Sequence, residues 1–259
     1  MDIPRTWEVH VRVLGVVVKI LVDNAELCAE VRRVWASCLI PDDGLPKPAA
    51  VVTMRTPAVA AAEAVGVRLR QLTQDVTTGA IRANAGSLLM FHAAALSNQD
   101  TGASIAFVAP GGTGKTTIVR TLGHGRGYVT DETVGVDRDG LIAPFSKPLS
   151  VRRPGAPHVK DEIPPAELAL SMPRTAPWLA GIVVLRRDLR PGRPVELERI
   201  DLLDALVTLA PETSSLAALH TPLKALADTV RSVGGVRVLH YHDAEDVEPI
   251  VQEALEMAR

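Results

Sequence analysis

Nine consecutive residues, Ala109-Pro110-Gly111-Gly112-Thr113-Gly114-Lys115-Thr116-Thr117, have the residue types a chain needs to grip a phosphorylated ligand. Glycines at 111, 112 and 114 lack a Cβ and can turn through positive φ, so backbone N–H groups can close round phosphate oxygens where a helix begins. Lys115 can then reach the β- and γ-phosphates of a nucleotide. The Thr116 hydroxyl can sit beside Mg²⁺, and Thr117 lies one step further into the helix. The pattern for such a loop is Gly-x-x-x-x-Gly-Lys-Ser/Thr, and Ala109 stands where the first glycine would be. An ordinary Gly/Pro turn gives no reason for Gly-Lys-Thr-Thr at the start of a helix.

Two further places could do chemistry. The acidic pair Asp131-Glu132 follows Tyr128-Val129-Thr130, the first strand-like run after the loop and its helix. A carboxylate aimed at a γ-phosphate can help hold Mg²⁺ or take the proton of an attacking hydroxyl, the latter typically contributing a rate factor of about 10²–10⁴. Neighbours on a strand point to opposite faces, so both acids reach one site only if the strand ends and the backbone turns there. Asp131 is the expected base and Glu132, with Thr116, the expected metal ligand. Two solvated charges at a turn remain the alternative. His92 stands in the apolar run Ser87-Leu88-Leu89-Met90-Phe91-His92-Ala93-Ala94-Ala95-Leu96, where a lone histidine is more often a strand residue with a satisfied ring than a catalytic group.

Such residues need a strand before the loop and a helix behind it. Ser104-Ile105-Ala106-Phe107-Val108 suits a buried strand, and 116–122 suits a helix ending at Gly123. Upstream, 7–13 and 16–22 alternate as a hairpin about Gly15, and Asp23 or Asn24 can cap a helix carrying Leu27, Val31 and Val34 before a turn at 41–44. A short strand is expected at 51–54 and an Ala-rich helix over 58–83, with Gly66 and Gly79 weakening its continuity. Downstream, Asp137-Arg138-Asp139-Gly140 reads as a hairpin turn, and the proline-rich stretch 154–177 as an exposed loop or lid. A buried strand follows at 181–185, then helices at 202–209 and 216–230, a strand at 236–240 and a closing helix at 244–257.

Composition bounds the rest. With 259 residues, 47% of them hydrophobic, the chain can bury a large core, and a net charge of −2 gives no general attraction for nucleic acid or an anionic membrane. Two cysteines, Cys28 and Cys38, without a second pair argue for buried thiols and against a zinc site or disulfide framework. No signal-like N-terminus and no apolar stretch of about 18 residues is present, so a cytoplasmic protein is expected.

Taken together, Phe91-His92-Ala93-Ala94, the Gly111 to Thr117 loop and Val129-Thr130-Asp131-Glu132 resemble the catalytic domain of HPr kinase/phosphorylase and the HPr-kinase-like peptide kinases. The resemblance covers about 87–153. It implies an α/β (α+β) mixed sheet with a P-loop kinase core related to phosphoenolpyruvate carboxykinase, and a small N-terminal α/β block: 1–85 as the block, 86–259 as the catalytic domain. It further implies use of ATP and Mg²⁺ to phosphorylate a serine hydroxyl, with Asp131 activating the acceptor, His92 near the transferred phosphate, and basic residues matching Lys147 and Arg152 beside the transferred group. The acceptor would be a peptide or small protein, including a ribosomally made peptide precursor. A free hydroxyl metabolite such as serine, or a sensor module that binds nucleotide with little turnover, are the alternatives. Family members often form hexamers, so a homo-oligomer is part of the expectation. The family's usual acidic pair is Asp-Asp, here Asp131-Glu132, and the glycine- and arginine-rich signature of the bifunctional enzymes is missing, which sets aside phosphorylase activity and HPr itself as substrate.

Overall fold

The structure, a computed structural model, describes residues 6–41, 44, 46–57 and 62–257. In chain order its elements are β1 (Trp7–Val13), β2 (Val16–Val22), α1 (Ala25–Val34), β3 (Ala50–Met54), α2 (Ala62–Ala83), β4 (Leu89–Ser97), β5 (Ala103–Val108) and α3 (Lys115–Leu122). Then come β6 (Gly127–Thr130), β7 (Thr133–Val136), β8 (Ile142–Ala143), β9 (Leu149–Arg153), β10 (Ala156–Ile163), β11 (Trp178–Arg186) and β12 (Glu196–Ile200). The chain finishes with α4 (Leu202–Leu209), β13 (Thr213–Ser214), α5 (Pro222–Ser232), β14 (Val236–His240) and α6 (Glu248–Met257). The fold is mixed α/β, with mixed sheets. Among the described residues no helix is long and apolar enough to cross a membrane. The turn expected at 41–44 and the beginning of the helix expected at 58–83 lie partly outside the described residues.

Backbone contacts divide the chain into two compact units, Met1–Asn84 with Phe145–Leu168, and Ala85–Pro144 with Ala169–Arg259. In the first unit β1 and β2 pair antiparallel through the positive-φ pair Leu14 and Gly15, and β3 adds parallel to β2. Asn24 caps α1, its Oδ1 accepting from the Leu27 amide at 3.0 Å. α2 runs unbroken through Gly66 and Gly79. Both cysteines are buried and free, and burial pushes the Cys38 thiol up to about 12.

Only the later part of the 154–177 stretch, 169–177, is the expected loop; the earlier part is not. β10 pairs antiparallel with β9, a 3₁₀ turn follows at Pro165–Leu168, and β11 begins at Trp178. Polarity concealed the hairpin: its buried anchor is Glu162, which accepts from the Thr73 hydroxyl of α2 at 2.9 Å and from the Ser150 hydroxyl of β9. The part up to Leu168 thus folds with the N-terminal elements, and the part from Ala169 belongs to the second unit.

The second unit is built on one sheet, in the order β12-β14-β11-β5-β4-β7-β8, with β6 and β13 also paired to β4. β5, β11 and β14 are parallel, and β4 is antiparallel to β5, β6, β7 and β13. Alternation along β4 sends Leu89, Phe91, Ala93 and Ala95 into a core shared with Ala205 and Leu209 of α4 and Leu226 and Val230 of α5. His92 belongs to the other register of that strand, and α3 packs on β4. α5 begins at Pro222, not at 216: proline is favoured at a first helical position, and 216–218 forms a separate 3₁₀ turn. α6 is likewise preceded by a 3₁₀ turn at Ala244–Val247.

Candidate phosphate-binding site of the second unit

β5 is buried along its length and delivers the chain at Ala109 into the loop, and α3 starts at Lys115. Gly112 and Gly114 have φ of 85° and 113°, the left-handed region that glycine enters without steric cost. Ala109 needs no positive φ and is fully buried, so alanine serves at the position where the loop pattern asks for glycine. Gly114, as N-cap of α3, provides no side-chain cap, which leaves the positive helix end facing the loop. At the other end Gly123 is required for closeness: a Cβ there would lie 2.3 Å from the Val119 carbonyl oxygen and 2.5 Å from Leu170 Cδ2.

Lys115 is 7% exposed, and its ammonium donates to the carbonyls of Ala109 and, at 3.1 Å, of Pro110. Burial pushes its pKa down, opposed by the carboxylates of Glu212, Asp131 and Glu132 in that order. The Thr116 hydroxyl donates to Asp131 Oδ2 at 2.8 Å, and the Tyr128 hydroxyl donates to Oδ1 at 3.0 Å. The carboxylate therefore points at the first turn of α3. Tyr128 and Asp131 meet because β6 has a register shift opposite Ala95 and Leu96, which adds a residue and turns positions three apart to the same side.

The strand ends between β6 and β7 at the acidic pair, where the Thr130 hydroxyl accepts from the amides of Glu132 and Thr133. That break frees both acids from strict alternation, so Asp131 and Glu132 both act on Lys115. β4 lies between β5 and β6, and brings His92 to the same neighbourhood. Partial burial and the Lys115 charge hold the His92 pKa below the usual histidine range, against the pull of Glu212 and Glu132.

The second unit thus gathers Lys115, Thr116, Asp131, Glu132 and His92. Lys147 and Arg152 belong to the first unit: Lys147 is buried and donates to the Pro148 carbonyl at 3.0 Å, and Arg152 is exposed on β9 opposite Lys160. Thr117 is exposed on α3. Two residues of the site escaped the sequence. Glu212 stands 3.4 Å from His92 Nδ1, and Tyr241, at the end of β14, donates from its hydroxyl to the Thr113 carbonyl at 3.2 Å. Ala210-Pro211-Glu212 has no motif, and only the pairing of β13 with β4 reveals it.

Among the described residues no group of three or more His, Cys, Asp or Glu is arranged to hold a metal ion alone. A hydroxyl and a carboxylate side by side, next to a buried lysine, do fit a cation that takes its remaining ligands from phosphate oxygens and water. No protein-family model matches the chain, and no curated protein matches it significantly.

Proposed function

We propose that the second unit is an ATP-dependent kinase core that transfers the γ-phosphoryl group to a hydroxyl, most simply a serine of a peptide or small protein. The observation that carries this reading is the bond from Thr116 to Asp131 at the first turn of α3, beside buried Lys115. Phosphate loops of this kind hold Mg²⁺ between the loop hydroxyl and an acid on a nearby strand. Thr116 and Asp131 would take that place, which moves Asp131 from the expected base to the cation and leaves Glu132 close by. The ion would neutralise charge on the transferring phosphoryl oxygens. Lys115, the loop amides and the helix end would hold the β- and γ-phosphates. The serine acceptor, Lys147 and Arg152 rest on the resemblance to HPr-kinase-like proteins alone.

Calorimetry of the full chain with Mg-ATP, paired with γ-phosphate-labelled ATP and pools of serine-containing peptides and small hydroxyl compounds, tests the reading. Binding heat and label on a hydroxyl are expected, both lost in Lys115→Met. Absence of heat in the parent chain removes the reading. Heat without label on any hydroxyl replaces it with a nucleotide-sensing module.

A further inference from the structure

With Asp131 assigned to the cation, and its two oxygens bonded to the hydroxyls of Thr116 and Tyr128, the proton of the attacking hydroxyl needs another acceptor. The pair formed by His92 and Glu212 offers one. β13 pairs with β4 at Thr213↔Phe91 and Ser214↔Met90, so the register continues to place Glu212 opposite His92. Glu212 Oε2 lies 3.4 Å from His92 Nδ1, longer than a full hydrogen bond and within the range that tightens when substrate binds. Its side chain is 18% exposed and that of His92 41%, so the carboxylate lies inward and the ring keeps a face toward solvent.

Resting on the kinase reading, we propose that Glu212 is a positioning residue for His92: it accepts the Nδ1 proton in a hydrogen bond and leaves Nε2 as the acceptor for the hydroxyl proton. In the step, the hydroxyl O–H bond breaks and its proton goes to Nε2. The oxygen forms a bond to the γ-phosphorus, the bond from that phosphorus to the β–γ bridging oxygen breaks, and the departing diphosphate keeps the electron pair. His92 later returns the proton to water. The charged groups facing the ring are Lys115 from the start of α3, Glu212 from the 3₁₀ turn before β13, and Glu132 from the break between β6 and β7. Lys115 and burial keep the ring neutral, the form a base requires.

Two measurements on the full chain test the pair. Nitrogen NMR of histidine-labelled protein, with His92→Gln to assign the signal, should show the Nδ1–H tautomer in the parent chain and a shift toward Nε2–H in Glu212→Gln. The Nε2–H tautomer in the parent chain, or no response to Glu212→Gln, overturns the proposal. In the labelling assay Glu212→Gln should lower kcat by about tenfold or more with KM little changed, against about 10²–10⁴ for His92→Gln. Glu212 favours the imidazolium, so its neutralisation lowers the His92 pKa and moves the acid limb of the rate profile to lower pH. An unmoved limb overturns the base role. A parent chain that binds Mg-ATP and labels nothing overturns the kinase reading and the base role with it, while the tautomer result still decides whether Glu212 orients the ring.

Discussion

Among the described residues each unit buries one carboxylate that accepts from two hydroxyls. In the first, Glu162 accepts from Thr73 and Ser150. In the second, Asp131 accepts from Thr116 and Tyr128. Both are 5% exposed. Each has two hydroxyl donors, and the surroundings separate them. Glu162 joins a helix face to the β9–β10 hairpin, where its bonds fasten two elements together. Asp131 stands where a glycine loop becomes a helix, with a buried ammonium whose charge it feels. A buried acid with two donors is thus not a site in itself. The adjoining loop is what sets Asp131 apart.

Isosteric amides put this contrast to the test. The largest effect is expected for Asp131→Asn: phosphoryl transfer should fall by about two orders of magnitude or more, because charge at the transferring group is lost, while calorimetric ATP binding weakens far less. Unchanged transfer would dissolve the distinction between the two acids. Glu162→Gln should leave transfer per folded molecule unaltered and cost about 1–3 kcal/mol, since an amide nitrogen cannot accept the bond that a carboxylate oxygen did. Thermal unfolding would register that as a drop of several degrees. Transfer lost without a stability change would show that Glu162 does more than fasten. Smallest is Asn24→Ala, which removes the cap of α1 and should destabilise the first unit by about 1 kcal/mol, seen in denaturant titration, with ATP binding untouched.

The same contrast explains what the sequence disclosed. The loop, its strand and its helix were legible because glycine, lysine and threonine at fixed spacing have few other uses, and the β1–β2 hairpin and Asn24 cap because alternation and capping are local. β10 was not legible, since its buried position is a glutamate and the hydropathy of the stretch is that of a loop. β12 was missed for a similar reason: four of its five residues are exposed, and among the described residues it pairs only with β14. Glu212 depends on a pairing of two residues with a strand some 120 positions earlier, and no local pattern encodes that. Asp131 was legible as an acid at a strand end, but its hydroxyl partners lie on α3 and β6 and no local pattern names them.

β4 is a shared rail. Among the described residues four strands run beside it: β5 and β13 against one part or another of its length, and β6 and β7 end to end, with the amide of Ala93 held by the Glu132 carbonyl between them at 3.1 Å. Loss or gain of one residue among Ala93, Ala94 and Ala95, none of which has any reactive group, would flip His92 to the opposite side and slide every attached segment out of step. The three alanines are therefore the ruler against which the reactive groups are spaced, and length matters there more than identity.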